Sequence, residues 1–301
     1  MADGGFARHL VWRFEALAYD IVCILLKPFS FDAISTFGGW AFEFLGPLTP
    51  KHHIARTGLK LAFPDANEKQ TGTWLTTQWN NTGRTFFEFP VLHRLRAFEP
   101  EGRIRVLGID KLQAVIDSNR PVVIVTGHFA NWEVIAVVLT QSGLPVQITY
   151  RKINNPYIDA RVRTQREAYG TKFFVPKSGR KGARQLLNAL DKGNSIALLN
   201  DQKFNEGLSV PFFGVNAMTA PGPARLALKS GAPLLPLSVT RDKALFTVTV
   251  HDPIQLEDTG NKTQDVENGV RLITNFMEDR IRENPDQWFW IHRRWPKNHY
   301  R

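Results

Sequence analysis

Short apolar runs bounded by turn residues recur along the chain from about residue 104 onwards. These runs predict an edge strand at 104–107 and further strands at 121–125, 146–150, 173–175, 195–199, 234–238 and 245–250. The segments between them have helical periodicity, which predicts helices at 109–116, 133–139, 156–169, 181–191, 223–229 and 263–283. Strands that alternate with helices are typical of an α/β fold with a mostly parallel central sheet flanked by helices. The last two strands should form an antiparallel hairpin.

The first 50 residues contain two further helical patterns, at 15–27 and 29–48, both rich in apolar and aromatic residues. Asp20 interrupts the first, and two glycines and a glutamate interrupt the second, so neither offers the roughly 18 uncharged residues that a membrane-spanning helix requires. An aromatic-rich amphipathic pair is typical of helices that lie in a membrane interface. A helical hairpin packed on the main core, or a dimer contact, would give the same pattern. We therefore divide the chain into N-terminal membrane-associating helices at 1–50 and a main domain at 51–301.

Composition narrows the choice of partners more than the choice of fold. Of the 301 residues, 43% are hydrophobic and 22% are charged, as in ordinary globular proteins. The one cysteine, Cys23, excludes an intramolecular disulfide and a cysteine-rich metal site. The excess of 38 Lys and Arg over 28 Asp and Glu gives a net charge of +10. This charge favours an anionic partner, such as a nucleic acid, an anionic membrane or a phosphorylated substrate.

Most of the basic excess lies in the window 151–184, which contains ten Lys and Arg against two acidic residues. Arg163 and Arg166 are three apart on a predicted helix and share a face. Arg180 lies in a glycine-punctuated loop, 178–182, that enters the next helix and suits a phosphate group. A solvated helix face has the same composition. The chain contains no aromatic RNA-binding motif, zinc spacing or recognition-helix pattern, so we expect no nucleic-acid partner.

The stretch Thr-Gly-His-Phe-Ala-Asn-Trp-Glu at 126–133 connects a predicted strand to a predicted helix. His128 therefore lies at the carboxyl end of a strand, the edge where ligands bind in open α/β sheets. Residues five apart on one continuous helix point roughly 140° apart, so Glu133 meets His128 only if His128 lies on the loop. We predict that Glu133 accepts a hydrogen bond from one imidazole nitrogen and leaves the other as a general base for a hydroxyl. The alternative is a strand-end histidine bonded to backbone and a glutamate that merely favours its helix terminus.

Asp201 follows another predicted buried strand and should lie at the same sheet edge as His128. It could orient the basic residues or a substrate amine or hydroxyl, or it could cap a turn. A loop rich in Gly and Pro at 211–224 should form a wall over that edge, and His292, in an aromatic C-terminal block, is expected to be structural. The His/Glu pair lacks the further ligands of a zinc site, so we predict no metal.

Several sequence blocks occur in an order that points to one family. Gly-His-Phe-Ala-Asn-Trp-Glu resembles the histidine/acid box of the lysophospholipid acyltransferase superfamily. More narrowly, the chain resembles the bacterial lipid A biosynthesis acyltransferases of the lauroyl- or myristoyltransferase type. The other matching blocks are Leu-Ala-Phe-Pro at 61–64, the segment 79–88, Tyr-Arg…Asn-Asn-Pro at 150–156, Asn-Asp-Gln at 200–202, Pro-Phe-Phe-Gly at 211–214 and the aromatic, basic run at 288–295.

The resemblance implies a membrane-associated enzyme at the cytoplasmic face of the cell inner membrane. It would move a fatty acyl chain from an acyl-carrier-protein or acyl-CoA thioester, which is a co-substrate and not a cofactor, to a hydroxyl of a phosphorylated lipid A precursor. The alternatives are an acyltransferase for another glycolipid or lysophospholipid, and a non-catalytic protein of the same fold that binds anionic lipid. The family commonly begins with a cleaner spanning helix than this chain has, so we expect peripheral or in-plane attachment.

The resemblance also assigns roles to matching positions. His128 would be the general base and Glu133 its orienting acid, while Arg166 and Asp201 would be the basic and acidic partners in the site. A slip of one turn in the alignment would replace Arg166 by Arg163. Further candidates for holding the substrate or the carrier protein are Arg151, Arg163 and Arg180. The chain has no Gly-x-Ser-x-Gly nucleophile motif, so we expect direct transfer without an acyl-enzyme intermediate.

Overall fold

The computed structural model of the chain describes residues 3–174 and 180–301. Its helices are α1 (Asp3–Leu26), α2 (Phe31–Leu45), α3 (Pro50–Ala62), α4 (Glu68–Glu88), α5 (Ile109–Asp117), α6 (Glu133–Gln141), α7 (Pro156–Glu167), α8 (Arg180–Asp191), α9 (Gly222–Ser230) and α10 (Lys262–Glu283). Its strands are β1 (Ile104–Leu107), β2 (Val123–Thr126), β3 (Val146–Thr149), β4 (Phe173–Phe174), β5 (Ser195–Leu199), β6 (Lys203–Phe212), β7 (Val215–Thr219), β8 (Leu234–Asp242) and β9 (Leu245–Val250).

The central sheet has the strand order β1-β9-β8-β2-β5-β3-β4. Neighbouring strands are parallel, except that β8 and β9 form the antiparallel hairpin. The predicted α/β class with a mostly parallel sheet is therefore confirmed. Strand β2 is buried along its whole length because helices cover both faces of the sheet. In the register of β2 with β5, Thr126 pairs with Leu199, so the chain leaves both strands side by side at one edge.

The first part of the loop predicted at 211–224 is wrong, because residues 203–219 fold as regular strands. They form a two-stranded antiparallel hairpin of β6 and β7 in which Phe212 pairs with Val215. Phe213 (φ 51°) and Gly214 (φ 75°) connect the strands, and two consecutive positive φ angles match the twist that tight hairpin turns require. Pro211 and Gly214 favoured a loop in the sequence, but this small sheet has only two strands, so a proline can lie on an edge without breaking a central ladder.

Helix α2 packs closely on α4, and glycines make that approach possible. The glycine pair at 38–39, expected to interrupt the helical pattern, lies inside the continuous helix α2. A Cβ atom added at Gly83 would lie only 2.0 Å from the carbonyl oxygen of Gly38, and one added at Gly46 would lie 2.2 Å from the ring of Trp79. These positions exclude any larger residue at the crossing. The glycines are therefore packing residues and not helix breaks.

Helix α1 packs on α7 through polar contacts. Arg161 Nε donates to Asp20 Oδ1 (2.6 Å), and Asn155 Nδ2 donates to Glu15 Oε2 (2.8 Å). Asp20, expected to interrupt the helix, thus lies on its inner face. Helix α1 also exposes many apolar side chains: Leu10, Val11, Phe14, Leu17, Ile21, Val22, Ile24 and Leu25.

None of the helices in the described part of the chain combines the length and the apolarity that crossing a bilayer requires. The division of the chain at residue 50 stays a prediction. Helix α3 begins at Pro50, whereas α2, before that boundary, has its largest interhelical contact with α4 of the main domain.

The C-terminal aromatic block lies in the core beneath the sheet edge. The side chains of Trp288, Trp290 and Trp295 are at most 1% exposed. Trp295 Nε1 donates to the carbonyl oxygen of Phe212 (3.1 Å), which ties the block to the β6–β7 hairpin. Phe289 N donates to the carbonyl oxygen of His128 (3.1 Å), so the block also supports the loop after β2.

Candidate active site

A cavity of about 500 Å³ opens at the carboxyl edge of the sheet. Its wall comes from the ends of β2, β3 and β5 and from helices α4, α6 and α7. The apolar part of the lining includes Phe86, Phe89, Trp132, Ile135, Leu139, Ile148, Val162, Ala197 and Leu199. The polar part includes His128, Glu133, Arg151 and Arg166. A mostly apolar cavity with a few convergent polar groups is typical of a small-molecule or lipid site.

His128 and Asp201 each lie two residues beyond the paired ends of β2 and β5, which brings them into contact. His128 Nδ1 lies 2.7 Å from Asp201 Oδ1, and the backbone N–H of His128 donates to Asp201 Oδ2 (2.8 Å). Trp288 Nε1 also donates to Oδ2 (2.7 Å). Burial alone would raise the pKa of the Asp201 carboxyl, but the charge and hydrogen bonds of His128, together with His292, hold that pKa well below its usual range. Asp201 is therefore an ionised, fully buried acceptor.

An Nδ1–H bonded to a carboxylate leaves Nε2 of the neutral imidazole with its lone pair. The side-chain amide of Gln202 lies 3.2 Å from Nε2, so it can donate to that lone pair. The His128 side chain is 14% exposed and lines the cavity. This arrangement presents an unprotonated nitrogen to a ligand, which is the requirement for a general base.

Glu133 is not bonded to His128, and the predicted hydrogen bond between them is wrong. Glu133 Oε2 accepts from Arg166 Nε (3.0 Å) and from the hydroxyl of Tyr169 (2.9 Å), and a second nitrogen of Arg166 donates to Oε1. The first turn of α6 faces the end of α7, which carries Arg166 and is followed two residues later by Tyr169. Asp201 takes the predicted place of Glu133, and it lies 73 residues from His128, so spacing along the chain could not reveal the pair. The order of the strands would have revealed it.

Arg166 is held on the cavity wall by more than its ion pair. Its guanidinium carbon lies 5.0 Å from the ring centre of Tyr150 and 5.5 Å from that of Phe89. Burial alone would lower its pKa, but the adjacent Glu133 carboxylate raises it above the usual range. The guanidinium is therefore a fixed positive charge in an otherwise apolar part of the cavity.

The other predicted cations are distributed unevenly. Arg151 is exposed and lines the cavity, whereas Arg163, one turn before Arg166, is exposed and outside the lining. Of the two alternatives, Arg166 is therefore the one at the site. Arg180 begins α8, but its side chain and residues 175–179 lie outside the described part, so the phosphate loop at 178–182 stays a prediction.

His292 lies beside the pair without joining it. Its ring centre is 6.2 Å from that of His128, and neither of its buried ring nitrogens has a partner among the described residues. Burial is the main cause that lowers the pKa of His292 to about 4, so the ring is neutral at physiological pH. Across residues 3–174 and 180–301, no group of three or more His, Cys, Asp or Glu is placed to hold a metal ion.

The sequence of the chain is similar to those of several lipid acyltransferases. The family model described as bacterial lipid A biosynthesis acyltransferase matches residues 9–297. The lipid A biosynthesis palmitoleoyltransferase of Escherichia coli K12 is 28% identical over 298 residues, which cover 96% of this chain and 89% of that protein. The lipid A biosynthesis lauroyltransferase of the same organism is 26% identical over 252 residues, covering 80% and 78%. A phosphatidylinositol mannoside acyltransferase of Mycolicibacterium smegmatis is 25% identical over 218 residues, covering 70% and 68%.

Proposed function

The chain belongs to the bacterial lipid A biosynthesis acyltransferase family, and on that basis we propose that it transfers a fatty acyl chain from a thioester to a hydroxyl of a lipid A precursor, with His128 as the general base. Family membership makes it an acyltransferase with a lipid acceptor. The observation that carries the proposed mechanism is the His128–Asp201 pair at the mouth of an apolar cavity.

In the proposed reaction, Nε2 of His128 takes the proton of the acceptor hydroxyl while its oxygen attacks the thioester carbonyl carbon. The resulting tetrahedral intermediate collapses, the carbon–sulfur bond breaks, and the thiolate leaves. The imidazolium returns the proton to that thiolate, so a thiol and an ester are the products. Asp201 holds the imidazole in the reactive tautomer and stabilises its positive charge, the role of the aspartate in a serine-protease triad. No step requires an acyl-enzyme intermediate.

Glu133 then has a different role from the one assigned by the resemblance. It fixes Arg166 at the cavity wall with the help of Tyr169. We propose that Arg166 binds a polar or anionic group of the acceptor near the reacting hydroxyl, because bidentate pairing with Glu133 holds the guanidinium in one place. Arg151 and the basic residues after it would contact the acceptor phosphates or the acidic carrier of the donor.

The cavity suits an acyl chain. A methylene group takes about the space of a liquid water molecule, roughly 30 Å³, so the cavity of about 500 Å³ has the volume of a chain on the order of 16 carbons. The donor would be acyl-carrier protein or CoA. Both would present the same thioester to the base as a co-substrate, and the proposed chemistry uses no cofactor.

An exposed apolar surface supports attachment at the cytoplasmic face of the inner membrane. Its members on α2 and the following turn are Phe37, Trp40, Phe44, Leu45 and Leu48, and α1 exposes a second apolar set on its outer side. Phe86 of α4 is also exposed and lines the cavity, so an exposed apolar side chain lies at the site. Monomeric soluble proteins rarely expose apolar patches of this extent. We propose that α1 and α2 lie in the interface and that acceptor lipid enters from it.

The test is acyl transfer by the purified protein, wild type beside His128→Ala, followed by mass spectrometry. Acceptors would be a lipid A precursor, a phosphatidylinositol mannoside and a lysophospholipid, each offered with carrier-protein and CoA thioesters. We expect one acyl increment on the lipid A precursor and a loss of roughly 10²–10⁴ in rate in the variant. Transfer only to another acceptor would replace the proposed substrate. Lipid binding without transfer to any acceptor would refute the enzymatic proposal.

A further inference from the structure

We infer that Glu88 and Asn131 are positioning residues that hold the loop 127–131, and with it His128, in its reactive arrangement. This inference rests on the proposed function. Neither residue lines the cavity or touches the base. Their contribution would be to the geometry of the loop and not to the reacting atoms.

The loop requires support because its backbone is unfavourable. Ala130 has φ +43°, the left-handed region that residues other than glycine rarely adopt. Its N–H donates to the carbonyl oxygen of Gln287 (2.6 Å), and its own carbonyl oxygen lies 2.9 Å from the hydroxyl of Thr85. Contacts with α4 and with the chain after α10 therefore keep a strained turn in place two residues from His128.

Asn131 links this turn to the start of α6. Its Oδ1 accepts from the backbone N–H of Glu133 (3.2 Å), and its Nδ2 donates to Glu88 Oε2 (2.7 Å). Glu88 and Asn131 are fully buried. One side chain thus connects the base-bearing loop, the helix that carries Glu133, and helix α4.

Glu88 is itself fixed by a buried ionic contact. Its Oε1 accepts from the hydroxyl of Ser35 (2.6 Å) and from the guanidinium of Arg241, whose side chain is 1% exposed. The backbone N–H and C=O of Arg241 are bonded to the side chain of Gln287 (2.8 and 3.0 Å), the residue whose carbonyl holds Ala130. A buried ion pair with fully satisfied partners permits one arrangement and excludes shifted ones. Glu88 is therefore a rigid acceptor for Asn131.

Glu88→Gln tests the inference with little change of volume. The glutamine amide has one acceptor oxygen and one NH₂ group where glutamate has two acceptor oxygens. It therefore cannot accept from Arg241 and from Asn131 at the same time. The loop loses one of its attachments, and a displacement of about 1 Å at the base costs on the order of 10²-fold in rate. We expect kcat to fall roughly 10- to 100-fold while KM changes by less than about threefold.

The reciprocal exchange supplies the specific control. In the double variant Glu88→Gln with Asn131→Asp, the new amide can donate to the new carboxylate, so the same hydrogen bond returns with its direction reversed. The aspartate can also still accept from the backbone N–H of Glu133. We expect this double variant to recover at least about tenfold of the lost kcat. A folded double variant no more active than Glu88→Gln would overturn the inference.

Two further variants separate positioning from stability. Thr82→Val removes a buried hydroxyl of α4 that accepts from Gln78 Nε2 (2.7 Å) and has no contact with the loop. It should lower the melting temperature and leave kcat within twofold. Should Glu88→Gln fail to fold, Asn131→Ser replaces it. The serine hydroxyl can still accept from the backbone N–H of Glu133 at the start of α6, but it does not reach Glu88 and leaves the ion pair with Arg241 intact.

A readout without substrate distinguishes failure of this inference from failure of the proposed function. Amide hydrogen exchange at residues 128–133 should quicken in Glu88→Gln and in Asn131→Ser, and not in Thr82→Val. Unchanged exchange in both loop variants would overturn the inference even if the enzyme is active. If the wild type transfers no acyl chain to any acceptor, the proposed function fails, and exchange alone decides whether the loop is held as inferred.

Discussion

The Asp201→Asn substitution tests which carboxylate serves the base. The change keeps the shape of the side chain, removes one buried negative charge and replaces one oxygen by an NH₂ group. Asp201 Oδ2 accepts from the backbone of His128 and from Trp288 Nε1, so the remaining oxygen is retained at that position. The NH₂ group then faces His128 Nδ1, 2.7 Å away in the native pair. Because a donor faces Nδ1, the imidazole must carry its proton on Nε2, where the base requires a lone pair.

The expected loss follows from that tautomer. The equivalent change in a serine-protease triad leaves the geometry intact and lowers kcat by about 10⁴. We expect a fall of roughly 10³–10⁴ in kcat at neutral pH, with KM changed little because Asp201 does not line the cavity. Glu133→Gln, which weakens the hold on Arg166, should mainly raise KM.

The assay is steady-state acyl transfer to acceptor in mixed micelles, with kcat and KM determined for wild type and both variants. Asp265→Asn is the matched control, because Asp265 is a buried aspartate that accepts from Thr259 N (3.1 Å) and Oγ1 (2.7 Å) at the start of α10, outside the cavity lining. It should lose stability and keep its turnover. The reasoning is refuted if Asp201→Asn stays within tenfold of wild type while Glu133→Gln loses 10³-fold or more in kcat.

Three further predictions concern packing, membrane contact and pH. Gly83→Ala should destabilise the protein by about 1–3 kcal/mol because of overpacking. Gly72→Ala, with nothing within 4 Å of the new Cβ, should stabilise it by up to about 1 kcal/mol. Thermal unfolding measures both variants, and equal effects would contradict the close crossing of α2 and α4. Phe14→Glu should weaken binding to anionic vesicles by roughly 10- to 100-fold, while Leu272→Glu, at another exposed apolar position, should not. Co-sedimentation with the vesicles measures the affinity of both variants, and equal losses would contradict the prediction. Burial lowers the pKa of His292 to about 4, below the value of about 6.5 that it has in the unfolded chain. Between these two pH values the unfolded chain binds more protons than the folded one. The stability of the folded protein therefore falls as the pH drops from about 6.5 to about 4. His292→Phe should flatten that fall by up to about 1.4 kcal/mol per pH unit in urea unfolding, and an unchanged slope would contradict it.

The fold was predictable because its main signals are local. Each buried strand of a sheet covered on both faces needs a short, continuous apolar run, and such runs appear in the sequence at the positions of β2, β5 and β8. The β6–β7 hairpin was missed because Pro211 and Gly214 are loop residues by composition. The glycines of α2 were misread as interruptions because their purpose, close contact with Gly83, lies on another helix.

The candidate site was predictable only in part, because the order of the strands in the sheet is not a local signal. Position at the end of a strand correctly placed His128 and Asp201 at one edge, but it did not give the order of strands. The choice of partner for His128 depends on that order, since β5 lies directly beside β2. Glu133 is near His128 in sequence, and the preference for it followed from that nearness and from the resemblance to the histidine/acid box. The attachments of the loop through Glu88 and Arg241 could not be predicted from the sequence at all, because they join α4 to β8 across 153 residues.

The pairing of these groups explains why the site uses two carboxylates instead of one. A base that becomes an imidazolium during the reaction needs a partner carboxylate that stays ionised. Asp201 stays ionised because the charge and hydrogen bonds of His128, together with His292, outweigh the effect of burial on its pKa. Arg166, on the wall of an apolar cavity, needs a second negative charge to offset its own burial, and Glu133 supplies it. If one carboxylate served both cations, each proton transfer to His128 would change the net charge of the pair that Arg166 contacts. The attraction that holds Arg166 would then change during the reaction. Two separate pairs allow the proton on His128 to move while the guanidinium stays fixed.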